Sequence, residues 1–490
     1  MEGNKSQKQI IRATGIVGGG QLLSILLGFL RTKLVAVLLG PSGVGFMGIL
    51  QSVADLVRSG TGFGINYSGV KDIAESYASN NVDQLSETVV IVRRWALATG
   101  VLGMVITVLF CVPLSKYSFG NEDYAGHIAF SSIILLITSV SSGHLVLLQG
   151  LRLMGKMTKA VLWGALLGTA TALPMYWYLG FEGIVIGLIL TALSGLIPSC
   201  WFIRNIKIVR SYVSLKRTFF GGLSMARLGF SIVVTGLLST FTLYAVRAQI
   251  LGKLDIDAVG NFQAAWMIGN IYLGIVLNAM LADFFPRLSG IIGDRASANR
   301  LINEQIEVAL LVASPLLVSL IAFAELIITL LYSSSFSDAP LLLQWQMVGS
   351  FFVLVSWPLG VSFLAKGKGL LNVLTDGTWS LIYLVIVYFG WDYFGFVVLG
   401  LSYVVSSFVK VFIVFCLKFQ FDDFSFSREN IKYMIVYGVI IGLMFLNVHL
   451  IDNWMRFVLN GFLIILSIFY SYNRVVRILG LNDLISRILR

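Results

Sequence analysis

Ala13 to Asn66 holds two apolar runs, Ala13–Leu39 and Val44–Asn66, that meet at Gly40-Pro-Ser-Gly43. Each run is long enough to span a bilayer, which takes about 20 apolar residues. Gly and Pro together read as a tight turn, so the pair reads as a transmembrane hairpin. Four charges lie deep in this hairpin: Arg31, Lys33, Asp55 and Arg58. A charge at bilayer depth costs roughly 2.5–3.5 kcal/mol on insertion scales, so such residues face partners or water-filled space. Snorkelling of Arg31 and Lys33 with a structural Asp55–Arg58 pair is one reading. A hydrated, cationic cavity for an anionic substrate is the other.

The rest of the chain continues this pattern. Of 490 residues, 57% are hydrophobic and 12% charged, and mean hydropathy is +0.87. These values indicate an all-α polytopic membrane protein. About fourteen spans can be read, near 13–39, 44–68, 89–113, 125–150, 157–179, 183–203, 228–251, 258–285, 306–332, 339–365, 370–390, 394–417, 431–450 and 454–473. The charge distribution supports that count. With both termini inside, 27 of the 35 basic residues fall in inner segments and only Lys116, Lys253 and Arg456 in outer loops. The positive-inside rule then places both termini in the cytoplasm and accounts for the net charge of +11 without nucleic acid. No cleavable signal peptide is expected, because the basic start leads straight into a run of spanning length. Cys111, Cys200 and Cys416 and the three histidines are scattered, with no zinc spacing or disulfide framework.

The two halves are related. Val44-Gly45 and Val259-Gly260 open corresponding spans at an offset of 215 residues. The same offset links Tyr117-Ser118 to Tyr332-Ser333, and Gln149-Gly-Leu-Arg152 to Leu364-Ala-Lys-Gly367. Two six-helix repeats of equal orientation follow, related by an axis along the membrane normal. The boundaries read as 1–217 for an N-terminal lobe, 218–420 for a C-terminal lobe, and 421–490 for an extra transmembrane hairpin with a basic tail.

Arg31, Lys33 and Arg247 lie on the first helices of the two repeats. Guanidinium groups match phosphate oxygens bidentately, so these positions, with Arg58, suit a diphosphate. Asp55 and Arg58 share a helix face at three-residue spacing. Asp55, Glu325 and Asp376 are candidates for coupling to Na+ or H+, with structural pairing as the alternative for the last two. Asp283 has Arg287 as its natural partner, and Lys410 reads as a snorkelling side chain. Trp357-Pro358 reads as a kink. No nucleophile elbow, metal motif or nucleotide loop is present, and Gly18-Gly-Gly20 lacks the following Lys-Ser/Thr.

Five stretches together resemble a known family: Arg31-Thr-Lys-Leu-Val-Ala-Val-Leu-Leu-Gly-Pro-Ser-Gly-Val-Gly45, Phe119-Gly-Asn-Glu-Asp-Tyr124, Val259-Gly-Asn-Phe-Gln263, Phe285-Pro-Arg-Leu-Ser289 and Trp345-Gln-Met-Val-Gly349. Over residues 10–420 the chain is similar to the Wzx-type polysaccharide flippases of the multidrug/oligosaccharidyl-lipid/polysaccharide (MOP) superfamily, with the flavour of the enterobacterial common antigen branch. That resemblance implies a V-shaped pair of six-helix lobes and a hydrated cationic cavity. It implies a transporter, not an enzyme, moving an undecaprenyl-diphosphate oligosaccharide across the bacterial inner membrane by alternating access. The glycan would serve O-antigen, lipopolysaccharide or related polysaccharide synthesis. Implied partners are the lipid-linked oligosaccharide, membrane lipids and polymerase or chain-length proteins, with a monomeric chain and no cofactor beyond a coupling ion. The extra hairpin at 431–473 departs from the twelve-span pattern of that branch and matches the peptidoglycan-precursor flippases. Two alternatives remain, a drug/cation antiporter of the same superfamily and an oligosaccharide polymerase or ligase. The first needs a cavity dominated by acids, the second a long outer loop with catalytic groups.

Overall fold

The computed structural model describes residues 2–79, 81–204, 206, 212–451 and 454–478, with the side chains of 2–22, 227–229, 232, 282, 473 and 475–478 outside that set. Gly18–Gly20 and the basic residues Lys5, Lys8, Arg12, Lys207, Arg210, Arg227, Arg477, Arg487 and Arg490 therefore lie beyond the described side chains. The described residues are helical, without strands. This is the expected solution for an apolar chain, since a helix satisfies its backbone hydrogen bonds internally. Eleven stretches are long and apolar enough to cross a membrane. Four of them hold two helical segments each, broken at Gly40, at Ser132, at Gly180–Glu182 and at Gly395–Val397. The protein is a multi-pass, all-α membrane protein.

Packing divides the chain into two units, Met1–Gly260 with Leu331–Ser335, and Asn261–Leu330 with Phe336–Arg490. The first unit contains α1 (Glu2–Thr61), α2 (Ile65–Ala78), α3 (Val82–Leu109), α4 (Cys111–Phe119), α5 (Ala125–Ser131), α6 (Ile133–Gly150), α7 (Met154–Leu179), α8 (Gly183–Arg204) and α9 (Leu215–Lys253). α10 (Ile256–Ile291) begins in this unit and continues into the second. There follow α11 (Arg295–Ala322), α12 (Ala324–Leu331), α13 (Ala339–Ala365), α14 (Gly369–Phe394), α15 (Val398–Asp422), α16 (Arg428–Leu450) and α17 (Trp454–Ile478). Several helices start at a side-chain cap. Asn81 accepts from the amides of Asp83 and Gln84, Ser214 from Arg217, Asp294 from Ala296 and Ser427 from Asn430. Each such cap contributes about 1 kcal/mol. Ser297 and these amides hold the Asp294 carboxyl below the usual range.

The first hairpin turns more tightly than a four-residue Gly-Pro-Ser-Gly turn. The helical hydrogen-bond pattern runs from 2 to 61, and the break is Gly40 alone, at φ 64° and ψ −167°. Glycine adopts that conformation without the Cβ clash that other residues meet. Pro41 then opens the second limb, where a missing amide hydrogen costs nothing. The second limb ends at Phe63 and Gly64, both at positive φ, and the chain starts α2 instead of stopping near residue 68. Three further breaks interrupt apolar runs, at Phe110 between α3 and α4, at Ser132 between α5 and α6, and at Phe323 between α11 and α12. Pro358 sits inside a continuous α13.

The 215-residue offset recurs in the backbone itself. α7 and α14 start and stop at equivalent residues, each ends in a 3-10 turn, and α8 and α15 resume together, all 215 residues apart. Gly180 and Gly395 share nearly one conformation, φ 56°, ψ −127° and φ 54°, ψ −140°. Arg152 and Gly367, also equivalent, both have positive φ. The two repeats meet reciprocally. A Cβ on Gly45 would sit 2.2 Å from the carbonyl oxygen of Ile256, and one on Gly260 would sit 2.0 Å from that of Pro41. Pro41 and Ile256 are themselves equivalent, as are Ser42 and Asp257, whose side chains hydrogen-bond across the contact (2.5 Å).

This crossing sets a testable requirement. Neither position has room for a side chain, and overpacking typically costs about 1–3 kcal/mol. Gly45→Val and Gly260→Val are expected to lower the melting temperature of the purified protein measurably. Gly252→Ala, where nothing lies within 4 Å, is expected to leave it unchanged.

Candidate functional site

The break at Gly40 has a direct consequence for the buried charges. Arg31 and Asp55 are 24 residues apart, about 36 Å on a straight helix. Both nevertheless line one cavity of about 180 Å³ within the first unit, so the two limbs fold towards each other. Arg31 enters from the first limb. Leu50, Gln51, Ala54, Asp55 and Arg58 enter from the second. α6 contributes Ile134, Leu135 and Thr138, and α8 contributes Leu188, Thr191 and Ala192. The polar groups thus converge on an otherwise apolar wall, the usual composition of a small-molecule site.

Arg58 donates from Nη2 to Oδ1 of Asp55 at 2.8 Å. Both side chains are about half exposed, 53% and 49%. An ion pair that wet is worth roughly 0–1 kcal/mol, so it holds Arg58 in place without locking it. Two guanidinium groups and one carboxylate leave the cavity net positive. Bidentate donation to phosphate oxygens is the chemistry such a set offers.

The remaining expected residues are placed as follows. Arg247 on α9 is buried, 7% exposed, and donates from Nη1 to the Ser52 hydroxyl at 2.6 Å. Ser52 follows Gln51 on the cavity-lining limb, so Arg247 is tied to that limb without lining the cavity. Lys33 is half-buried and is not among the lining residues. Glu325 is exposed in the first turn of α12. Asp376 on α14 lies in the second unit, where its carboxylate accepts from Asn372 Nδ2 at 2.9 Å and from Lys410 Nζ. Lys410 therefore does not snorkel outward; it pairs with Asp376 across α14 and α15. Asp283 pairs with Arg287 at 3.0 Å, as their spacing suggests. Gln51, Thr138 and Thr191 were not evident from charge, being uncharged polar residues on apolar helices.

The second unit holds an equivalent place. There, 215 residues on, Gln51 becomes Trp266, Asp55 becomes Asn270, Arg58 becomes Leu273 and Leu188 becomes Tyr403. Trp266 and Tyr403 pack edge to face at 5.8 Å, and Trp379 stacks on Tyr383 at 5.3 Å and meets Tyr403 at 6.0 Å. Gly349, the equivalent of Ile134, makes room for the Tyr403 ring. One repeat keeps a charged cavity; the other fills the same place with aromatic rings.

Comparison with known proteins agrees with this architecture. The family described as "Polysaccharide biosynthesis protein" matches residues 10–292. The chain is 24% identical over 358 residues to the Lipid III flippases of Escherichia coli (strain K12) and Shigella flexneri, covering 72% of this chain and 85% of theirs. Among solved structures, the lipid II flippase MurJ in an inward closed conformation superposes with a TM-score of 0.70 at 18% identity, over 94% of this chain and 99% of its own. An inward-facing multidrug resistance MATE transporter of the MOP superfamily gives 0.64 at 16% identity, over 84% and 95%. With more than half of its length matched, the chain belongs to the polysaccharide biosynthesis protein family, and its fold is like that of these transporter structures.

Proposed function

We propose that the protein is a flippase that moves an undecaprenyl-diphosphate-linked oligosaccharide across the bacterial inner membrane by alternating access. The observation that carries this reading is the cavity in which Arg31 and Arg58 face one carboxylate, Asp55. A diphosphate supplies the charge that such a cavity lacks, and Gln51, Thr138 and Thr191 offer hydrogen bonds to sugar hydroxyls. Similarity to the Lipid III flippases supports a lipid-linked substrate. Arg247 would set the Ser52 limb, and Lys33 would assist from the first limb. The repeats 1–217 and 218–420 would act as the two lobes, with 421–490 as an added hairpin.

The chemistry is transport, with no bond made or broken. Coupling to Na+ or H+ would fall to Asp55, because it lines the cavity and its pair with Arg58 is half exposed, whereas Asp376 lies in the second unit against Lys410 and Glu325 on the exposed start of α12. Both termini would be cytoplasmic, and the chain would work as a monomer beside polymerase or chain-length proteins. A drug/cation antiporter needs acids to dominate the cavity, and here the guanidinium groups do.

Reconstitution into liposomes with a fluorescent polyprenyl-diphosphate oligosaccharide tests this, with an impermeant quencher reporting the far leaflet. Arg31→Ala and Arg58→Ala should each slow flipping by about tenfold or more, since hydrogen bonds to charged groups are worth about 1.5–3 kcal/mol. Arg58→Lys should fall between, having lost bidentate geometry but kept charge. Full flipping by the Arg31→Ala/Arg58→Ala double variant would overturn the diphosphate clamp. Export of cationic drugs without oligosaccharide movement would favour the antiporter.

Asp55→Asn separates two roles. If Asp55 only holds Arg58, the variant is expected to bind the diphosphate at least as tightly in equilibrium titration, because no carboxylate competes for the guanidinium. Cavity hydration is checked with a background in which Cys111, Cys200 and Cys416 are replaced by serine. Thr138→Cys is expected to react with a water-soluble maleimide, and buried Ala160→Cys is not.

A further inference from the structure

A second cluster of charges lies in the second unit, where α13 ends, α15 ends and α11 begins. Asp422 accepts from two ammonium groups at once, Lys366 on Oδ1 and Lys418 on Oδ2. The side chains are 16% exposed for Lys366, 1% for Lys418 and 3% for Asp422. Buried charges are ordinarily balanced by a partner, and here one carboxylate meets two cations. The neighbours add to the surplus. Lys368 lies 4.4 Å over the ring of Phe421, and Arg295 pairs with Asp423 at 3.0 Å. With Asp294 beside Arg295 counted in, four cations here face three carboxylates.

The fold does not need charge here. In the first repeat the positions equivalent to Lys366 and Lys418 are Leu151 and Ile203. Both lie in one buried apolar cluster with Ile73 and Val213. The same junction is built from hydrocarbon in one repeat and from ammonium groups in the other. Around the charged version, Leu364, Leu370, Phe419 and Phe421 expose apolar side chains beside the exposed Lys368, Gln420 and Asp423. A phosphate bearing acyl or prenyl chains matches both parts of this surface. Basic recesses between transmembrane helices recognise anionic lipid headgroups in the same manner.

We propose that this node binds the phosphate of a membrane lipid. Lys366 and Lys368 donate to the phosphate oxygens. Lys418 and Asp422 lie beneath, fixing the Lys366 ammonium at the mouth. The lipid chains run along Leu370 and Phe419.

The test measures binding and is independent of transport. Purified full-length protein in a neutral detergent is titrated with phosphatidylglycerol, phosphatidylcholine, undecaprenyl phosphate or inorganic phosphate, and thermal melting gives apparent affinities. Phosphatidylglycerol or undecaprenyl phosphate should stabilise the protein, and whichever binds more tightly names the source of the phosphate. Phosphatidylcholine should bind weakly. Lys366→Gln/Lys368→Gln should weaken the effect by about tenfold or more, the scale of a lost charge-assisted hydrogen bond. Lys366→Arg, which keeps the charge and donors, should retain it. Should the double variant fail to fold, Lys368→Gln alone is compared with Lys366→Arg, and a weaker effect in the first is required. Equal stabilisation of wild type and the Gln variants overturns the proposal. So does inorganic phosphate acting as well as the lipids, which would make this a free-anion site.

Discussion

One backbone conformation governs the charged cavity. At Gly40 the chain pairs φ 64° with ψ −167°, a conformation that is essentially reserved for glycine. Without it, residues 2–61 would form one long helix, and Arg31 would lie far from Asp55. With it, the limbs face one another, and charges that would each be expensive in hydrocarbon share one recess with α6 and α8. Glycine supplies the turn and proline stiffens its exit. The arginines and the aspartate have the remaining walls because the turn is tight enough to bring them there.

The repeats diverge in what they place at equivalent positions. In the first unit, α7 and α8 approach closely through Gly164 and Gly195, where an added Cβ would meet backbone at 3.0 Å. In the second, the equivalents are Trp379 and Lys410, and the helix pair is held by the Asp376–Lys410 ion pair and a hydrogen bond from Trp379 to Ser407 at 3.2 Å. Small-residue packing and a polar clamp are two solutions to the same membrane problem, since neither gains from the hydrophobic effect between helices in lipid. In the second unit the larger side chains occupy this crossing. The first retains small side chains, and with them room for a ligand.

Much of this was legible in the chain. Helix class, approximate spans and the 215-residue repeat follow from apolar run length and from turn residues at fixed spacing. The Asp55–Arg58 and Asp283–Arg287 pairs follow because three and four residues bring side chains to one helix face. Contacts between helices were not legible. Asp376 and Lys410 are 34 residues apart on adjoining helices, and nothing in either run announces the other, so Lys410 reads as a lone snorkelling residue. Arg247 meeting Ser52 is hidden for the same reason. The breaks at Phe110 and Ser132 occur where hydropathy continues without interruption, so composition carries no signal of them. The polar wall of the cavity is threonine and glutamine, which apolar helices tolerate anywhere.

The contact at Gly45 and Gly260 has one more implication. Pro41 meets Gly260 as Ile256 meets Gly45, and Ser42 faces its own equivalent, Asp257. Residue i touching j while j's counterpart touches i's is the signature of an isologous, two-fold interface. Because each glycine meets the carbonyl that the other's counterpart supplies, a side chain introduced at either one presses on the same crossing, and the two positions are constrained as one.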